Sequence, residues 1–263
     1  MKRTFFSLAL LLAVATLTAQ TKMTAREAAV KIADRILAST TYEFKNTKTG
    51  EIYKSVKKLP LDMDVKVACK YNNWHYTNGV TNMALMELGD KLGDKKYEKY
   101  VLKNMNFVFN EGNLDFFRKQ YDEAFKRDGW NAVRKLSWHM IFRGKRLDDN
   151  GPMGASLIEL QLKYPNDSFL GYINETAEHL NYGEPRLVDG TIARIWPHVN
   201  TIWADDAFMA ISFLARMGKL TGDEKYFNDA VNQVLNYNRY LWCPEKQIYY
   251  HCYHTDNLSL IHI

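Results

Sequence analysis

Cysteine is scarce in this chain. Cys69, Cys243 and Cys252 are its whole complement, too few for a disulfide-stapled scaffold, although an oxidising compartment would permit a bridge between Cys243 and Cys252 where geometry allows. No cysteine follows the apolar stretch near the N-terminus, so a lipid-anchored mature terminus is not expected. Glycine and proline are also few, 14 and 6 of 263 residues, which leaves an ordinary globular mixture of 46% apolar and 25% charged side chains. Nor is there a basic block. The 35 basic and 30 acidic side chains are spread along the chain, unlike the clustered cations of nucleic-acid binders, so no nucleic-acid partner is expected. A formal charge of +5 would still help to draw in acidic sugars.

What is present begins with an export pattern. Lys2 and Arg3 precede an apolar run from Phe5 to Leu17, and small residues lead up to Gln20. This reads as a secretory signal over residues 1–19, cut after Ala19, and the run is shorter than a membrane span requires. The mature protein is then periplasmic or secreted, with no membrane contact after cleavage. Residues 258–263, Leu-Ser-Leu-Ile-His-Ile, stand where a helical fold should continue. They read as a non-native tail that bounds a domain over residues 20–257, and a short apolar tail that packs natively is the alternative.

Helical periodicity dominates between those ends. Thr24 and Glu27 form a capping box, followed by Ala28, Ala29, Ile32, Ala33, Ile36 and Leu37 at helical spacing. Lys45 to Lys70 is expected to be a long surface connection with little regular structure. Helical patterns then run over 81–92, 96–110, 114–126, 130–142, 152–163, 168–180, 206–219 and 224–241. One pattern repeats: each of two segments passes from a helix through a Gly-Asp turn and a Lys-Tyr pair into another helix, and Asp94 and Tyr97 match Asp223 and Tyr226. Repeated helical hairpins cannot bury their apolar faces alone and must stack, as an open solenoid or a closed ring.

Two carboxylate pairs carry the chemical interest. Asp205-Asp206 opens the apolar segment Ala-Phe-Met-Ala-Ile-Ser-Phe-Leu, and Asp148-Asp149 precedes Asn150-Gly151-Pro152 and another apolar segment. Acids at helix starts face the positive end of the helix dipole, which explains each pair taken alone. Two pairs with one layout point further, to facing acids in one cavity, and glycosidic chemistry commonly uses one carboxyl group to transfer a proton and another to orient or stabilise.

The stretch from Asp189 to Leu235, with Trp-x-Asp-x-x-Phe-Met-Ala at 203–210, resembles the signature segment of glycoside hydrolase families 88 and 105, the unsaturated glycuronyl and rhamnogalacturonyl hydrolases. Residues 148–160 and 72–85 match further motifs in the expected order, so the resemblance covers residues 25 to about 255. It implies an all-α fold, an (α/α)6 barrel of helical hairpins that is incomplete at the C-terminus of this chain. By the same resemblance Asp205 is the acid/base and Asp149 its partner, and the substrate is an unsaturated uronic-acid oligosaccharide hydrated at its C4=C5 bond. No metal or organic cofactor is implied. Asp206 becomes a cap or supporting group, because neighbouring residues on a helix diverge by about 100°. His251 matches a cavity histidine, although Cys252 and Tyr253 depart from the family's Gly-Trp. Another family histidine is displaced, leaving Arg194 and His198 nearby, and Arg194 is the candidate for the uronate carboxylate.

Other readings stand beside this one. Trp74, Tyr76 and Trp203 are candidates for stacking on sugar faces, although an aromatic near a helix end is more often core. His251, Cys252, His254 and Cys243 resemble no common zinc motif. His75 and His139 read as exposed or satisfied histidines. Unsaturated glycosaminoglycan disaccharides are an alternative substrate, and an exported helical-repeat binding protein is the alternative without catalysis.

Overall fold

The computed structural model describes residues 23–143 and 146–256 and the strand 259–261. The expected signal segment lies outside the described residues, as do Leu258, His262 and Ile263 of the expected tail. Among the described residues, those up to Ala38 form one compact unit and those from Ser39 another. The first contains all but the last residue of helix α1, Ala25–Ser39. Its capping box is made: Glu27 N donates to Thr24 Oγ1 at 3.2 Å, and Thr24 N donates to Glu27 Oε2 at 2.8 Å.

The second unit is built around helical hairpins. Helices α2 (Tyr76–Leu92) and α3 (Lys96–Val108) form the first hairpin, and α4 (Glu111–Val133) and the short α5 (Met140–Arg143) follow. The next hairpin is α6 (Leu147–Lys163) with α7 (Asp167–Glu178), and the third is α8 (Ala204–Thr221) with α9 (Glu224–Leu241). The repeated sequence produces a repeated turn. Gly93 and Gly222 adopt φ of 66° and 73° at the ends of α2 and α8, a region that suits glycine. Asp94 and Asp223 then accept from the backbone N–H of Lys96 and Lys225, each at 3.0 Å. Tyr97 and Tyr226 are buried behind them.

Helix α6 lies between α2 and α8, which is why it is buried nearly all round, with Met153, Leu157, Ile158 and Leu160 inaccessible. A Cβ on Gly79 would meet Pro152 and Met153, while one on Gly151 would come within 2.2 Å of Met209 O and one on Gly154 would strike the Phe213 ring. Lys163 Nζ reaches Asp90 at the far end, 3.1 Å away. The residue numbers rise together along all three helices, so α2, α6 and α8 run parallel and their first turns share one end.

Three expectations are corrected. The region expected to be irregular holds a three-stranded antiparallel sheet of β1 (Phe44–Asn46), β2 (Ile52–Tyr53) and β3 (Val65–Val67), in the order β2-β1-β3. Its strands are too short to display a period of two. The two helices expected over 114–142 are instead α4, broken at Asp128 and Gly129, and then α5. Helix α6 starts five residues before Pro152, whose missing N–H leaves only the Asp148 carbonyl without its helical donor.

Further short strands close the fold. A hairpin pairs β5 (Trp242–Cys243) with β6 (Ile248–Tyr249), and a second sheet has the order β4-β7-β8, from Thr201–Trp203, Cys252–His254 and Ser259–Ile261.

Candidate active site

Helix geometry carries both acid pairs to one end of the stack. Asp148 and Asp149 lie in the first turn of α6, and Asp205 and Asp206 in the first turn of α8. Strand β4 aims the second pair: Trp203 is the N-cap of α8, and Ala204 N donates to His251 O at 2.8 Å, which brings the residue before β7 alongside. Arg194 is threaded in by backbone pairing with Thr201, its N–H donating to Thr201 O at 2.8 Å. Its guanidinium lies 4.7 Å from the centre of the Trp203 ring, whose indole N–H donates to Thr201 Oγ1.

The first turn of α6 rests on aromatics. Trp74 Nε1 donates to Asp149 O at 2.8 Å, and Tyr172 Oη donates to Asn150 Oδ1 at 2.9 Å. The two rings meet edge to face, their centroids 4.7 Å apart.

One guanidinium organises the acids. Arg194 donates from Nε and Nη2 to the two oxygens of Asp206, each at 2.7 Å, and from Nη2 to Asp205 Oδ2 at 3.1 Å. Asp148 Oδ1 is 3.6 Å from the same Nη2. Oxygens of Asp148, Asp205 and Asp206 all lie within 4.8 Å of one another. Asp206 is buried, and desolvation pushes its pKa up to about 6 although Arg194 pulls the other way. Asp205 is the most accessible of the three, its side chain 42% exposed. Its Oδ1 has no hydrogen-bond partner and lies 3.8 Å from His251 Nε2. A cavity of about 390 Å³ opens beside the cluster, lined by Asp148, Arg194 and Asp206 together with Arg146, Glu184 and Trp196.

The structure thus brings Asp205, Asp206, Arg194, Trp203 and His251 together, and it revises three assignments. Asp149 is fully buried in a two-point ion pair with Arg143, and burial raises its pKa against that pairing. Asp148, given no role by the sequence, is the member of its pair that joins the cluster. Trp74 is only 1% exposed, so its ring supports α6 and offers no face to a sugar. Arg194, the candidate for the uronate carboxylate, is engaged by the protein's own acids. Tyr76 is partly exposed beside His75, ring centroids 4.4 Å apart, and His75 caps α2. Desolvation lowers the His75 pKa, against the pull of Asp148 and Asp149. His198 pairs its ring with His254 at 5.3 Å and accepts from Thr201 through its backbone oxygen.

One feature of the cavity wall had no signal in the sequence. Arg146 stacks over Trp196, 4.8 Å from its ring centre, in a loop that no periodicity marks. Cys243 and Cys252 are both buried free thiols, so the permitted bridge is not formed. Among the described residues the one group of possible metal ligands is the acid cluster itself, where Arg194 already supplies positive charge.

Carboxylates gathered at one end of stacked helical hairpins, beside a cavity of sugar size, are the equipment of glycosidic chemistry. The chain belongs to Glycosyl Hydrolase Family 88, whose model matches residues 52–259. It is 28% identical over 116 residues to the unsaturated rhamnogalacturonyl hydrolase YesR of Bacillus subtilis (strain 168), a match covering 42% of this chain and 33% of that protein. Among solved structures, a possible member of the GH105 family from Klebsiella pneumoniae gives a TM-score of 0.56 at 15% identity, over 93% of this chain and 55% of that one. Another from Salmonella enterica serovar Paratyphi A gives 0.55 at 16%, over 93% and 56%. The chain therefore spans a third of the curated relative's length and little more than half of these solved chains. At such identities the likeness shows the fold, the helical hairpins of an (α/α)6 barrel.

Proposed function

We propose that this protein removes an unsaturated uronic acid from the non-reducing end of oligosaccharides released by polysaccharide lyases, by hydrating the C4=C5 bond. The observation that carries this reading is the acid cluster, in which Asp205 has the most exposed side chain while its Oδ1, buried and 3.8 Å from His251 Nε2, makes no hydrogen bond. Asp205 as the carboxylic acid protonates C4, and the cation left at C5 is shared with the ring oxygen. A water then adds to C5 while the Asp205 carboxylate takes its proton, restoring the acid. The resulting hemiketal opens and releases the next sugar. Asp148 faces this centre, and Asp149 acts from behind the wall by fixing Arg143. Arg146, which makes no ion pair among the described residues and is steadied by Trp196, supplies the cation for the uronate carboxylate.

Among such substrates, rhamnogalacturonan and other pectin fragments are favoured by the likeness to YesR. The N-terminal pattern supports export, which would put the enzyme where such fragments arrive. The test is to incubate the full chain with lyase-generated pectin and glycosaminoglycan oligosaccharides in parallel and follow the ultraviolet absorbance of the conjugated uronate. Its loss with the pectin set supports the reading. Its persistence with both sets would remove it.

A further inference from the structure

Arg194 is a cation that three acids share, and the sharing is unequal. Asp206 takes two hydrogen bonds of 2.7 Å, Asp205 takes one of 3.1 Å from a nitrogen already engaged, and Asp148 stands 3.6 Å off. A guanidinium at hydrogen-bond distance stabilises the ionised form of a carboxyl group, by roughly one to three pH units. A group fixed as carboxylate cannot deliver a proton to carbon. Unless something else satisfies Arg194, its closeness to Asp205 works against the role proposed above. Ionised above about pH 6, Asp206 meets that requirement, because its two oxygens match the guanidinium fork and its side chain is held in place by burial.

We propose that Asp206 is the positioning residue of this site: by taking Arg194 at two points it draws the guanidinium's charge away from Asp205, which is left able to carry the proton that the reaction transfers. The inference rests on the reading of Asp205 as acid/base. Asp148, on α6, adds a smaller effect of the same sign, as a second negative charge near Asp205. The other groups around the pair are His251 and Cys252 beside β4 and Tyr237 from α9. They are common to every variant below, so differences between variants report on the acids alone. An Asp206 that only anchored Arg194 structurally would lower the rate evenly across pH when replaced.

The experiment uses the full chain as wild type, Asp206→Asn and Asp148→Asn. Each is followed by carbon NMR titration of the Asp205 carboxyl, identified by its absence in Asp205→Asn, and by the pH profile of kcat/KM on an unsaturated disaccharide. In Asp206→Asn the Asp205 midpoint and the alkaline limb of the profile should both move down by about one pH unit, which is roughly a tenfold loss of rate above the limb. Asp148→Asn should move both in the same direction by less. An unmoved or raised midpoint in Asp206→Asn overturns the proposal, as does an even loss of rate with an unmoved limb. Should Asp206→Asn not fold, Asp148→Asn decides, and no shift there overturns the proposal. A midpoint that moves as expected in a protein that turns over no unsaturated sugar supports the charge relation and removes only the functional reading.

Discussion

Trp74 donates its indole N–H to the main-chain oxygen of Asp149 at 2.8 Å, tying a buried ring ahead of α2 to the first turn of α6. That bond holds the acids of α6 at the end of the stack where Asp205 and Asp206 also lie. Trp74→Phe keeps an aromatic ring and removes the donor, leaving a buried carbonyl short of a partner, so stability should fall by about 1–3 kcal/mol. Urea denaturation of the two proteins measures it. An unchanged midpoint would show that the bond does not support the turn.

Asp149 and Asp148 should separate cleanly on substitution. Asp149→Asn leaves Arg143, itself largely buried, without its carboxylate, and breaking such a pair costs about 3 kcal/mol. Asp148, a third exposed and 3.6 Å from Arg194, should be replaced by Asn with little loss of stability. Thermal melts of both variants test this. Equal destabilisation would mean that the two acids are not placed differently.

The stability of the protein should carry the mark of Asp206. Its pKa is pushed up to about 6 in the fold, from an ordinary 3.8, so between those values the folded state binds the proton and the unfolded chain does not. Its contribution is therefore complete below pH 4 and is lost as pH rises through about 6, on the order of 3 kcal/mol in total. In Asp206→Asn this dependence is absent. Melts from pH 4 to pH 7 should show wild type losing stability relative to the variant across that window, and a gap that widens in favour of wild type would reverse the assigned sign.

The end of the hairpin stack as a site for acids was legible in the sequence; the division of roles within it was not. Helix-start acids followed by small and apolar residues are local signals, and Gly151 and Gly79 fit the close approach of parallel helices seen here. Which of two neighbouring acids turns inward depends on α6 beginning at Leu147, five residues earlier than Pro152 suggested. Arg194 reaches the acids through backbone pairing with Thr201, in a segment too short for any period to reveal. Trp74 read as core more readily than as platform, and its burial against Tyr172 decides for core.

Arg146→Ala should raise KM for an unsaturated uronate by about tenfold with kcat little changed, the pattern of lost uniform binding. A methyl-ester substrate, which has no carboxylate, should be bound alike by both proteins. Steady-state kinetics on the acid and the ester check this, and an equal loss on both would assign Arg146 to the shape of the cavity wall.

The most direct test of the account is the turnover of a lyase-generated unsaturated disaccharide by Asp205→Asn, read as loss of ultraviolet absorbance, with a thermal melt to show that the fold is intact. The account predicts a folded protein with at least a hundredfold lower rate, the scale of a lost general acid/base. Wild-type turnover by Asp205→Asn would contradict it, and an inactive but folded Asp206→Asn alongside would move the acid/base role to Asp206.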